Sequence, residues 1–203
     1  CLLLAGCGED TTTDKKAEKA VASTEPLKAA WVYPSPRADE GWSKQHEEAR
    51  MLIEQKYGDK IRTQVVDNVT NTVDAERVIR DLAAQGNKII FATSFTYMNP
   101  ALKVAKEFPD VKFENCTGYK TAANYSNYNA RFYQARYLAG KLAASMSKTA
   151  HLGYVAAMPI PEVLQGINAY TLGAQSVNPD VKVSVVWTNT WYDPGKACLL
   201  YTS

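Results

Sequence analysis

The sequence predicts an α/β fold built on parallel sheets, and three observations carry that expectation. From residue 28 onward, short apolar runs alternate with segments of 3.6-residue periodicity. The intervening helices, about a dozen residues each, are the length of βαβ crossovers, which join parallel strands with right-handed connections. The strands themselves are apolar on both faces, as strands buried between two helical layers should be.

Each element has its own signal. KAAWVYPS (28–35) reads as the first strand, and the helix within 41–58 is closed by Gly58. IRTQVVDNV (61–69) is the second strand. The helix at 72–86 takes Thr72 as its N-cap, with an acidic first turn and Gly86 at its end. KIIFATS (88–94) is the third strand, NPALKVAKEFP (99–109) a helix with Pro100 in its first turn, and VKFENCTG (111–118) the fourth strand. The stretch 119–148 opens as a loop rich in tyrosine and asparagine and becomes a long helix. Its face Phe132, Ala135, Ala139 and Leu142, with Gly140 allowing close approach, is expected to pack on a sheet. A second block follows, with strand 150–157, helix 161–177 and strand 181–191. That block holds only one and a half βα units, so the second lobe is expected to be truncated.

The first residues follow a different logic. Leu4-Ala5-Gly6-Cys7 is an apolar segment ending in small residues at a cysteine, which reads as the last piece of a secretory signal and resembles the lipobox of bacterial lipoproteins. Residues 1–7 are accordingly expected to be a signal remnant, with Cys7 as the lipidated residue. Residues 8–27 carry charges, threonines and alanines but no aromatic residue, too little apolar surface to repay their ordering, and are expected to form a disordered tether.

Composition narrows the function. A hydrophobic fraction of 46%, 22% charged residues and a net charge of +2 with both signs interspersed describe a globular chain without the basic footprint of a nucleic-acid binder. Two histidines far apart, His46 and His151, and sparse cysteines argue against a metal centre, and no cofactor is expected. No G-x-G-x-x-G, Walker A or G-x-S-x-G string occurs, so an enzyme on a flavodoxin-like sheet is the weaker reading.

Several motifs together resemble one family. The lipobox, the tether, Asp-x-Gly-Trp at 39–42, FPDVKF at 108–113, the helix and strand ARYLAGKLAASMSKTAHLGYV at 135–155, and TWYDPGK at 190–196 look like the basic membrane protein family. The resemblance implies lipid-anchored substrate-binding components of ABC importers, similar to purine nucleoside receptor lipoproteins, on the type 1 periplasmic binding fold with two Rossmann-like lobes. It places lobe 1 at 28–148 and a partial lobe 2 at 149–196. It also implies a small heterocyclic ligand (purine base or nucleoside), an inner-membrane ABC permease as partner, membrane attachment through Cys7, a monomer, and a site in the periplasm or at the cell surface. A ligand-sensing regulatory lipoprotein of the same fold is the alternative. Family members continue well beyond the Asp-Pro, and ACLLYTS (197–203) has no counterpart, so those residues are expected to be non-native.

An open parallel sheet binds its ligand beyond the carboxyl ends of its strands, which directs attention to a few side chains. Gly41 and Trp42 follow the first strand, Trp42 as a stacking platform, and Asp39 in the family's motif position is a candidate acceptor for a ribose or base edge. His46 lies one helical turn after Trp42. Phe95 and Tyr97 sit past the third strand, Asn129 offers an amide before the long helix, and the resemblance makes Trp191 the opposing aromatic face. The loop MPIPE (158–162) lies where it would close on the ligand.

Overall fold

The structure is a computed structural model and describes residues 25–39 and 41–202. Cys7 and most of the expected tether lie outside the described residues.

The first lobe is a five-stranded sheet in the order β2-β1-β3-β4-β5. Its strands are β1 (Leu27–Val32), β2 (Ile61–Val66), β3 (Ile89–Ala92), β4 (Lys112–Cys116) and β5 (Tyr125–Tyr128), all parallel. Helices α1 (Trp42–Tyr57), α2 (Thr72–Ala84) and α3 (Met98–Glu107) form the crossovers. The apolar stripe Ala75, Val78, Ile79 and Leu82 of α2, together with Ala101, Val104 and Ala105 of α3, closes one face of the sheet over Ala30, Val32, Ile90 and Phe113. On the other face, the register partners Trp31 and Phe91 stack at 4.5 Å between ring centroids, and Ile53 of α1 packs against that cluster. The central strands β1 and β3 are covered from both sides, which accounts for their apolar character in the sequence, whereas the edge strand β2 leaves Arg62 and Gln64 exposed.

Two local expectations are corrected. The cap of α2 is Asn71, one residue before Thr72: with an extended backbone, its side-chain oxygen accepts from the Asp74 N–H at 2.9 Å. The polar segment 125–128, expected as loop, is strand β5. Asn124 pins its entry, its side-chain nitrogen lying within 3.0 Å of the Ala105, Phe108 and Val111 carbonyls, so the strand is held by side-chain hydrogen bonds as well as by its ladder.

The second unit contains β6 (His151–Ala156) and β7 (Lys182–Trp187), a parallel pair in register from His151↔Lys182 to Ala156↔Trp187. With them go α4 (Phe132–Met146) and α5 (Pro161–Gln175). Helix α6 (Pro194–Thr202) is continuous across residue 197. The α4 face named from periodicity is not the packed one: Phe132 and Leu142 are exposed. The helix turns Tyr133, Tyr137, Gly140 and Ala144 inward instead, and packs along α5. A Cβ on Gly140 would overlap the Tyr170 carbonyl, and one on Gly173 the Tyr137 carbonyl, so the two backbones approach through reciprocal glycines. Ala144 then reaches the small sheet with Ala174, Val181 and Leu152.

That contact is testable. Gly140→Ala must push against backbone rather than a flexible side chain, and overpacking of this kind costs about 1–3 kcal/mol. The expected result is a lowered midpoint of thermal unfolding, whereas Ala139→Gly on the exposed face should cost no more than helix propensity does, about 1 kcal/mol.

Candidate functional site

The carboxyl ends of both sheets open onto one cleft of about 340 Å³, at the small end of the range for small-molecule sites. From the first lobe come Pro34 after β1, Ser94 and Phe95 after β3, and Thr117 after β4. Trp42 and Phe132 add aromatic walls from the first turns of α1 and α4. The second unit contributes Tyr154 to Ala157 at the end of β6, the start of α5 with Glu162, Val163 and Gly166, and Trp191. Arg136, one turn after Phe132, completes the lining.

Trp42 is held firmly. Its Nε1–H donates to the Thr93 carbonyl at 2.6 Å, tying the indole to the end of β3. Phe132 meets it at 5.8 Å and a tilt of 53°, a favourable aromatic geometry. His46 supports it from behind, with ring centroids 5.0 Å apart and its Nδ1–H donating to the Trp42 carbonyl at 2.9 Å. Burial lowers the basicity of His46, partly offset by that hydrogen bond, so the ring is a neutral buttress.

Asp39 lies just below the cleft and is buried. Its carboxylate accepts from Ser35 Oγ at 2.5 Å and from the backbone N–H groups of Gly41, Ser43 and Lys44 at 3.0, 3.1 and 2.9 Å. Burial alone would raise its pKa, but these donors together hold it below the usual carboxylate range. Asp39 therefore fixes the start of α1 and through it Trp42, with Gly41 as the residue at the helix boundary.

The sequence-predicted residues thus divide by position. Trp42, Phe95 and Trp191 come together in the cleft, and Trp191 is 38% exposed at its mouth. Asp39, Gly41 and His46 stand behind the wall. Tyr97 points into the first lobe, buried, with its hydroxyl donating to the Val69 carbonyl. Asn129 is exposed, and its side-chain oxygen accepts from the Ala130 N–H at 2.8 Å.

Ser94, Thr117, Arg136, Tyr154 and Glu162 are lining residues that sequence reasoning did not single out. MPIPE was legible as a closing loop, but its glutamate was not marked as the group inside. Glu162 lies in the first turn of α5 and faces Thr117, just past the end of β4, across the same cleft. Burial raises its pKa, and the polar Thr117 hydroxyl opposes the rise. Asn115 braces the wall from beneath, donating to the Ala92 and Ser94 carbonyls at 2.9 and 2.8 Å and so setting the turn that presents Phe95.

Among the described residues, no group of three or more His, Cys, Asp or Glu converges as a metal site requires. The nearby Cys116 thiol is pushed up to about 12 by burial, which keeps it protonated and poorly nucleophilic. The arrangement is suited to enclosing a flat molecule between aromatic faces and offering a few polar groups to its edge.

Two parallel α/β units with a cleft at their carboxyl edges have the architecture of a two-lobed binding fold. The chain belongs to the Bmp family, described as ABC transporter substrate-binding protein PnrA-like, whose model matches residues 27–203; this is a family of solute-binding components rather than enzymes. It is 55% identical over 177 residues to a purine-binding protein of Brucella abortus, covering 87% of this chain and 51% of that protein. It is 43% identical over 173 residues to a putative ABC transporter glucose-binding protein of Haloferax volcanii, covering 85% of this chain and 44% of that one. The fold matches a solved ABC transporter solute-binding protein from Aeropyrum pernix with a TM-score of 0.74 at 21% identity, over 87% of this chain and 53% of the other. The chain spans about half the length of the curated relatives it matches.

Proposed function

We propose that this protein is the substrate-binding component of an ABC importer that captures a purine base or nucleoside between its two lobes. The observation that carries the reading is the cleft, with Trp42, Phe95, Phe132 and Trp191 around a space of about 340 Å³. A planar heterocycle gains most from such walls, because every base has a π-face to stack. The 55% identity to a purine-binding protein points the same way.

A hexose would stack on one aromatic face and then need several hydrogen-bonding groups for its hydroxyls. The lining offers few: Ser94, Thr117, Arg136, Tyr154 and Glu162 among mainly apolar neighbours. In this reading Cys7 carries the lipid that keeps the receptor at a membrane, in the periplasm or at the cell surface, close to its permease. Among the described residues no helix is long and apolar enough to cross a membrane.

The test is the ligand retained by the intact protein, expressed from its complete reading frame and purified mildly, then identified by mass spectrometry. A purine or nucleoside supports the proposal. A sugar, in agreement with the Haloferax relative's name, would replace it.

A further inference from the structure

We propose that Glu162 is the specificity-determining acceptor of this cleft, taking an N–H of the bound purine and so selecting purines whose edge is not N-alkylated. The inference rests on the purine reading above and adds to it the group that reads the ligand's edge.

Three observations meet at this side chain. Glu162 lines the cleft whose other walls are mostly aromatic and aliphatic, so a ring stacked there has little polar surface to face besides this carboxyl, Arg136 and the hydroxyls of Ser94, Thr117 and Tyr154. It sits in the first turn of α5, where the helix dipole favours a negative charge directed at a ligand. Thr117 lines the same cleft from the opposite lobe, so its hydroxyl and the Glu162 carboxyl present polar groups to one ligand edge. A carboxylate has about four lone-pair positions, which are available to a ligand N–H.

Among the described residues no ion pair joins Glu162 to Arg136, the guanidinium of the same lining. The Arg136 stem lies beside Gly166, one turn along α5 from Glu162, at ordinary van der Waals distance from where a Cβ would stand. The acid therefore faces the cleft without a salt-bridge partner, half-buried and partly desolvated. Its hydrogen bond to a ligand N–H is charge-assisted, and a ligand lacking that N–H would leave it desolvated and unpaired.

The charged form is the acceptor, which sets the pH dependence. Burial holds the Glu162 pKa above the ordinary carboxylate range, and an N–H donor stabilises the ionised form, so purine binding should release a proton and strengthen as pH rises through the mildly acidic range. The other titratable or charged groups around it are Arg136 from α4, Tyr154 from β6 and Cys116 beside Thr117 on β4. The Cys116 thiol stays neutral throughout that range, and Glu162 is the carboxyl of the lining whose charge changes.

The experiment is calorimetry on the intact protein with hypoxanthine and adenine, each beside an analogue methylated at every ring or exocyclic nitrogen that bears hydrogen. Wild type should bind at least one parent base and discriminate against its methylated analogue by a hundredfold or more. Glu162→Gln, which is isosteric, should bind that parent about tenfold more weakly, leave the methylated analogue unchanged or improved, and lose the pH dependence. Thr117→Val should weaken the parent by a smaller factor in the same direction, which guards against misfolding of a single variant. If parent bases bind and Glu162→Gln preserves the wild-type ratio of parent to methylated affinity, the inference is overturned while the purine reading stands. If neither base binds wild type, both fall together.

Discussion

Replacing Trp42 with alanine is expected to weaken purine binding by about one to two orders of magnitude, since alanine substitution of a stacking aromatic costs roughly 1–3 kcal/mol per base in nucleic-acid systems. The expectation depends on the indole being a prepared surface rather than a mobile one. Its Nε1–H is tied to Thr93, and the Phe132 and His46 rings meet it at tilts of 53° and 50°. Little rotamer entropy is left to lose when a base arrives. Trp42→Phe should fall between wild type and Trp42→Ala, because it retains an aromatic face and loses the anchor to β3. Isothermal titration of the intact protein against a purine series reads both effects. Unchanged affinity of Trp42→Ala for every purine would make the residue a packing element of the first turn of α1.

The positions of the site were more legible than the orientations. Trp42 and Phe95 could be selected because each follows a strand of a parallel sheet, where the topology leaves loops over the carboxyl edge, whereas Trp191 came from the family resemblance. Phe95 and Tyr97 could not be told apart, since both lie in a single tight turn at 95–97. Two residues of such a turn point in widely different directions, and only the Val69 carbonyl, distant in sequence, draws the tyrosine inward. Asp39 reads as a candidate ligand acceptor from its place in the resembled family's motif. The capping role appears only when the donors of Ser35, Gly41, Ser43 and Lys44 are assembled around it.

Helix α4 shows the same limit at the level of packing. Its apolar residues span more than one face, and a periodicity argument chooses the face with the larger side chains. The structure chooses the face with Gly140, because close approach to α5 gains more contact than exposed Leu142 could. Glu162 escaped notice for a related reason. In sequence it is an acidic residue in the first turn of a helix, where such residues are ordinary, and only the cleft assembled from both sheets marks it as a lining group.

Hydrogen exchange on the 203-residue chain should divide it sharply between its two sheets. In the first lobe, Ala30, Val32, Ile90 and Phe113 are fully buried between helices, so amides of β1, β3 and β4 should exchange only through global unfolding. The second unit has a two-stranded sheet in which alternate residues are exposed, with Val155 and Val186 at 39% and 42%. Its buried cluster is limited to Ala144, Ala174 and Val181, with Ala150, Leu152 and Val183 partly covered against it. A parallel pair generally needs further strands or a covering layer for independent stability, and here α4 and α5 cover one side. The amides of 151–156 and 182–187 should therefore exchange orders of magnitude faster than those of β1, and limited proteolysis should cut first within that unit. Because half of the cleft belongs to this loosely held part, the same chain should bind purines far more weakly than the intact protein does. Uniform protection from Leu27 to Trp187, together with tight purine binding, would mean that α4, α5 and two strands suffice to hold the second jaw in place.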